Sequence, residues 1–281
     1  MDQTTSSPRR PVVALITDFG LSDGYIGVIK GVIAANAPEA HIIDITHDIA
    51  PQNIFSAAWI LASVYRYFPK SAPPAPGTVF VCVVDPGVGS ARRAIAMHAG
   101  NWFFIGPDNG LFSYVLAEQP VHAACILSNP TYHLTQVSST FHGRDIFAPV
   151  AAHLARGIPL SELGTQIDPA TLQRIDLHPP TQHEDSIDAR IVHIDHFGNL
   201  ISNIPFTMIP DLFSHHQVRI LFQNSGIEVS HLRRFFAEGS DDAQPFIYVD
   251  SSGYIGIAVR NGHAARILSV DYGTPITLYS S

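Results

Sequence analysis

The stretch VFVCVVDPGVGSARRAIA, residues 79–96, opens with six apolar residues and stops at a carboxylate. A short apolar run bounded by turn residues reads as a strand buried on both faces, as in a sheet covered by helices. Asp85, Pro86, two spaced glycines and the pair Arg92–Arg93 follow. A tight turn, a phosphate loop and a catalytic site are the three readings open. The dinucleotide fingerprint needs a third glycine and a helix opening at once, and the P-loop needs Gly-Lys-Ser/Thr; neither is present. Pro86 and Gly87 predict a turn, which leaves Asp85 and the arginines to be explained.

Outward from this strand the first two-thirds of the chain alternate. PVVALITDFG reads as a short strand ending in turn residues, and GYIGVIKGVIAANAP as a helix stopped near Pro38. AHIIDITHDI is strand-like. NIFSAAWILASVYRYFP has helical spacing through Ile54, Ala57, Ala58, Leu61 and Tyr65, and ends before Pro69. NWFFIGPDNG follows, then helices in LFSYVLAEQ and in DIFAPVAAHLARG, the latter with Gly157 at its C-cap. The pattern predicts an α/β domain with a central, largely parallel sheet. Composition changes at IDLHPPTQHEDSID, a linker of polar residues and prolines. Beyond it ARIVHIDHFGN, QVRILFQ, PFIYVDSSGYIGIAVRNG and TPITLY are short strand-like runs, which predict a smaller β-barrel domain. The expected organisation is a disordered lead-in over residues 1–10, an N-terminal α/β domain over 11–181 and a C-terminal β-barrel over 182–281.

With 46% hydrophobic and 14% charged residues in 281, the chain can build a large core. No run reaches the roughly 20 apolar residues of a membrane helix, and residues 12–16 are too short for a signal segment, so a cytoplasmic protein is expected. Cys82 and Cys125 sit in apolar runs without metal spacing and read as reduced core thiols. A net charge of −8 without a basic cluster argues against nucleic acid as a partner.

Most polar clusters fall where strands end, the edge at which open α/β sheets bind ligands. Asp18 and Asp23 share one such end. Asp23 reads as the N-cap of the helix starting near Gly24, whereas Asp18 comes too early to cap it and is available to a ligand hydroxyl. Asp44, His47 and Asp48 together carry metal-ligand chemistry, but a histidine beside carboxylates is more often structural. His193 and His196, three apart on a strand, would face opposite ways. No metal is expected. Phe141, His142, Gly143, Arg144 and Asp145 precede a helix that Asp145 or Thr140 would cap.

In order along the chain, TDFG…D, DITH, VVDPGVGS, IGPDNGL, TFHGRDIFAPVAAHLA.G, D.FGNL.SNI and S.GY..IA resemble the S-adenosyl-L-methionine (SAM) hydroxide adenosyltransferase family, relatives of the fluorinating and chlorinating enzymes that attack the same molecule. The resemblance runs from Thr17 to about Asn261. It implies a SAM hydrolase that forms adenosine and L-methionine without a cofactor, and a homotrimer with sites between one subunit's N-terminal domain and the next subunit's C-terminal domain. It implies a catalytic triad of Asp85, Arg92 and His142; in halogenating relatives tyrosines replace the aspartate and the histidine. The resemblance assigns Asp18 to the ribose hydroxyls, with Asp23 and Phe141 also at the substrate. Phe197 and Asn199 would take the adenine, Asp195 the methionine ammonium, and Ser251 and Ser252 the methionine end. Halogenating relatives carry an arginine at Ser252 and a tryptophan at Gln52. Halide transfer to the same carbon and a non-catalytic adenosine or SAM binder are the rival readings.

Overall fold

The computed structural model describes residues 10–71, 77–215, 217–239 and 244–280. All but Arg10 of the expected lead-in lies outside the described residues. The chain divides into two compact units, the first ending at Ile175 and the second beginning at Asp176.

The first unit runs β1 (Val12–Thr17), α1 (Tyr25–Asn36), β2 (His41–Thr46), α2 (Ile54–Val64), β3 (Thr78–Val83), β4 (Ala94–Ala99), β5 (Trp102–Pro107), α3 (Ser113–Glu118), β6 (Val121–Ile126), α4 (Ala148–Ala155) and β7 (Thr165–Gln166). Its strands form one sheet in the order β2-β1-β3-β5-β4-β6-β7. The opening run explains itself in β3. Val79, Val81 and Val83 pack with Ile29 and Ile33 of α1 and with α4, while Phe80, Cys82 and Val84 pack with Leu61 of α2 and Val115 of α3. Both faces are buried, so both parities must be apolar. Cys82 and Cys125 are free and buried, and burial pushes the Cys125 thiol up to about 11.

The largely parallel sheet expected from the sequence is corrected to a mixed one. β2, β1, β3 and β5 are parallel, but β4, β6 and β7 pair antiparallel. The cause is a two-residue turn, Gly100-Asn101, between β4 and β5, with Gly100 at φ +54°. That left-handed φ is one L side chains rarely adopt, so glycine is favoured there. The parallel strands bring their carboxyl ends to one edge: Thr17 pairs with Val83, and Asp18, Asp85 and Asp108 leave the sheet there.

Asp23 does not cap α1. The cap position falls on Gly24 and no side chain bonds the first turn. The segment before α4 opens instead as a single π turn, Gly143–Phe147, with His142 in the cap position; neither Asp145 nor Thr140 caps it.

The second unit contains β8 (Thr181–Gln182), β9 (Ser186–Ile194), β10 (Leu200–Pro205), β11 (Val218–Phe222), β12 (Glu228–Val229), β13 (His231–Leu232), β14 (Pro245–Val249), β15 (Tyr254–Val259), α5 (Ala264–Leu268) and β16 (Pro275–Ser280). The sheet order β12-β11-β16-β9-β10-β15-β14-β13 begins and ends on strands separated by Ser230 alone. The sheet therefore curls into a nearly closed barrel around Ile191, Ile220, Phe222, Ile257 and Leu278. His193 lies in β9, whereas His196 lies beyond its end, so strand alternation does not relate the two.

Candidate active site

After β3 the chain makes two turns, Val88 N–H to Asp85 O at 3.2 Å and Ser90 N–H to Gly87 O at 3.0 Å. Ser90 Oγ then accepts from Arg92 N. The chain is thereby folded back until the Arg92 guanidinium meets the Asp85 carboxylate. Arg92 Nε donates to both oxygens at 3.0 Å and Nη2 donates to Oδ2. The side chains are 10% and 5% exposed, so this is a buried ion pair rather than a surface one. Asn109 Nδ2 fixes the strand end from behind by donating to Val84 O at 2.9 Å. Arg93, the other half of the pair, turns elsewhere: it binds Asp108 and Thr171 and staples the loop of residues 169–173.

Arg92 Nη2 also donates to His142 Nδ1 at 2.8 Å. An arginine N–H only donates, so Nδ1 presents its lone pair and the proton of the neutral ring sits on Nε2. Burial first, and then the Arg92 charge, hold the His142 pKa below the ordinary imidazole value. Glycine makes the meeting of the two loops possible. Gly89, at φ +77°, lies so close to the 138–142 loop that a Cβ would stand 2.2 Å from Ser139 O. The π turn carries His142 into place, because Asp145 is buried and accepts from Ser138 N at 2.8 Å and from Arg144. Phe147 lies under the guanidinium, 5.5 Å from Cζ.

Beside His142, Phe141 forms an edge-to-face trio with Phe19 and Tyr25, with centroids 5.3–6.1 Å apart. These rings, with Ser138, Thr140 and Arg144, line a cavity of about 430 Å³. Asp18 adjoins Phe19. Its Oδ2 accepts from Gln52 N at 2.8 Å, and Gln52 adopts a left-handed φ of 65°. Asp23 is exposed on the approach to α1.

In the second unit Asp195, Phe197 and Asn199 share the β9–β10 turn. Asp195 Oδ1 accepts from Phe197 N and Asn199 N, and Oδ2 from Asn199 Nδ2. Gly198, at φ +85°, packs on His263, where a Cβ would meet Nδ1 at 2.1 Å. That turn presents Phe197 71% exposed while Asn199 is buried. Both line a second cavity of about 440 Å³ with Phe236, Val259, Asn261 and Gly262. Ser251 and Ser252 lie on the β14–β15 turn, which Asp250 organises through Ser252 N and Tyr254 N. Burial raises the Asp250 carboxyl above its ordinary value against those N–H groups, and the Asp195 charge adds to the rise.

The structure thus brings Asp85, Arg92 and His142 into one contact and gathers Asp195, Phe197 and Asn199 on one turn. Sequence reasoning passed over Phe19 and Tyr25, although the aromatic inside TDFG is a signal, and Phe236 and Asn261, which carry none. It also passed over His133, whose Nε2 is buried without a hydrogen-bond partner and whose pKa is lowered by burial and then by His142. Among the described residues no group of three or more His, Cys, Asp and Glu side chains is placed to hold a metal ion. No helix among them is long and apolar enough to cross a membrane.

Sequence models of the SAM hydroxide adenosyltransferase N-terminal and C-terminal domains match residues 13–164 and 189–277. The chain is 39% identical to an (R)-S-adenosyl-L-methionine hydrolase of Salinispora arenicola over 94% of this chain and 95% of that one. It is 33% identical to a hydrolase of the same name from Methanocaldococcus jannaschii, over 93% of each chain. A fluorinase of Actinoplanes is 26% identical, over 95% and 97%. A crystal structure of an uncharacterized conserved protein from Thermotoga maritima superposes with a TM-score of 0.86 at 35% identity, covering 95% of this chain and 99% of that one. With both domain models matched in order over most of its length, the chain belongs to the SAM hydroxide adenosyltransferase family.

Proposed function

We infer that the protein hydrolyses S-adenosyl-L-methionine, water attacking the ribose 5′ carbon to give adenosine and L-methionine. The observation that carries this is the unbroken Asp85–Arg92–His142 contact in a chain that shares 39% of its residues with a SAM hydrolase. In the reaction the new C–O bond forms as the C–S bond breaks, and the bonding pair goes to sulfur. The sulfonium becomes a neutral thioether, so the leaving group needs no proton. The nucleophile is the difficult partner, because bulk water has a pKa near ~15.7. Arg92 and the Nε2–H of His142 are donors that favour an oxygen gaining hydroxide character. Asp85 offers about four lone-pair sites; Arg92 fills both positions on Oδ2 and one on Oδ1. The position left on Oδ1 is an acceptor for the water's proton. Asp85 also balances the Arg92 charge, which alone would repel a sulfonium. In this reading Asp18 and Phe141 border the sugar, with Asp23 nearby. Phe197 and Asn199 hold the adenine, and Asp195, Ser251 and Ser252 the methionine.

The assembly we propose is a homotrimer in which one subunit's N-terminal domain (residues 11–181) meets the next subunit's C-terminal domain (182–281). Leu21, Tyr25 and Val28 are 67%, 50% and 43% exposed, and Tyr25 lines the first cavity, which supports a second copy covering them. Incubating the protein with SAM, with and without chloride, tests the reaction. Adenosine formed without halide is expected. Exclusive formation of a 5′-haloadenosine, or binding without product, overturns the reading.

A further inference from the structure

Four residues that the proposed chemistry leaves unused run in a line beneath the turn that carries Asp18. Lys30 of α1 pairs with Asp44 of β2, and Asp44 Oδ1 stands 3.0 Å from His47 Nε2, off the axis of an ideal hydrogen bond. His47 Nδ1 lies 2.9 Å from Thr17 Oγ1, at the last residue of β1. A one-residue bulge at Ile45, between the pairs Leu15–Asp44 and Ile16–Thr46, sets the local register. Thr17 and His47 are 1% and 3% exposed. An imidazole at that depth is costly to bury unless its nitrogens are used.

The proton directions along the line are consistent. With Nε2–H toward Asp44, Nδ1 accepts from the Thr17 hydroxyl, whose oxygen accepts in turn from Phe19 N at 3.3 Å. The His47 carbonyl takes Gly20 N at 2.8 Å. His47 thus grips both flanks of Asp18, through its ring to Thr17 and through its backbone to Gly20. From the opposite side Gln52 N holds Asp18 Oδ2, and among the described residues no hydrogen bond reaches Oδ1. The carboxylate is fixed with one oxygen left for a ligand.

We propose that His47 and Thr17 are positioning residues for substrate binding, orienting Asp18 toward the ribose hydroxyls. This rests on the reading of Asp18 as the ribose carboxylate, and the test separates the two.

Binding of adenosine and of 2′,3′-dideoxyadenosine is measured by titration calorimetry, with melting temperatures alongside. The wild-type protein prefers adenosine. Thr17→Val and His47→Phe lower adenosine affinity about tenfold, the scale of one misplaced hydrogen bond, and leave dideoxyadenosine unchanged. Thr17→Ser, which keeps the hydroxyl, and His47→Asn, which keeps an acceptor near the Nδ1 position, retain most of the preference even if the harsher variants fold poorly. Equal loss for both nucleosides, or no loss for either, overturns the positioning role while Asp18→Ala still abolishes the preference. If wild type and Asp18→Ala bind both nucleosides alike, the ribose reading of Asp18 falls and this inference falls with it.

Discussion

Replacing Arg92 by lysine separates a turn staple from a reaction centre. Arg92 does two things with one planar fork: Nε and Nη2 hold Asp85, and Nη2 also serves His142 Nδ1. Lysine keeps the positive charge on a single nitrogen. Drawn to the buried Asp85, it preserves the ion pair and leaves Nδ1 of His142 without its donor. A hydrogen bond from a charged donor is worth about 1.5–3 kcal/mol, so kcat is expected to fall roughly 10- to 150-fold. KM should change little, because in the proposed function the Arg92–His142 hydrogen bond serves the nucleophile and not the adenosine or methionine ends. Stability should drop by at most about 1.5–3 kcal/mol, the worth of that hydrogen bond, since the charge pair survives. Arg92→Ala is a poorer probe, because it strands Asp85 at 5% exposure, a loss on the order of 3–5 kcal/mol. The assay is adenosine release across a SAM titration, with urea unfolding of both proteins. A kcat within threefold of wild type would show that the pair merely closes the turn, and the triad reading would be refuted.

The His142 pKa is lowered, by burial and then by Arg92, so its neutral form persists below the ordinary value of about 6.5. Turnover should therefore be level through neutrality and fall on an acid limb centred below that value; a limb centred above it contradicts the proposed ring state. The same groups act on stability. His98, His133, His142, His153 and His193 are all lowered with burial as the largest cause. Between their folded values and about 6.5 the unfolded chain binds more protons, so stability rises with pH in that window and flattens above it, as denaturation at stepped pH will show. Phe197→Ala removes a 71%-exposed ring; unfolding should shift by less than about 0.5 kcal/mol, while KM for SAM rises about tenfold if the ring stacks on adenine. Gly89→Ala, whose Cβ would meet Ser139 O at 2.2 Å, should part the two loops and cut kcat while far-ultraviolet dichroism is unchanged. Wild-type turnover in that variant would show that the close approach is incidental.

Elements with both faces buried, or with a clean helical stripe, were legible in the sequence. β3 and α2 are the clearest cases, and β11, β14, β15 and β16 declare themselves by their short apolar runs. β4 and β6 do not, because AIAMHA and VHAACI are rich in alanine, a weak strand former. The Gly100-Asn101 turn is the signal that would have exposed β4 and, with it, the antiparallel half of the sheet. Asp85 stands out because it ends a buried run. Which of two adjacent arginines faces it is not written locally: Arg93 is claimed by Asp108 and Thr171, far along the chain. The Arg92–His142 contact spans 50 residues and depends on Gly89 meeting Ser139, a tertiary event that no spacing encodes. The cap expected at Asp23 fails because α1 starts at Tyr25 and gives its cap position to glycine.

Asp85, Arg92 and His142 all precede Ile175, whereas Phe197 and Asn199 follow Asp176. On the proposed assignment, what chooses the attacking atom and what grips the purine belong to separate hydrophobic cores, and selection can retune one without unsettling the other. On that assignment, a lineage that exchanges water for another nucleophile has two short loops to rewrite, residues 85–92 and 138–142, and can inherit its hold on the base intact.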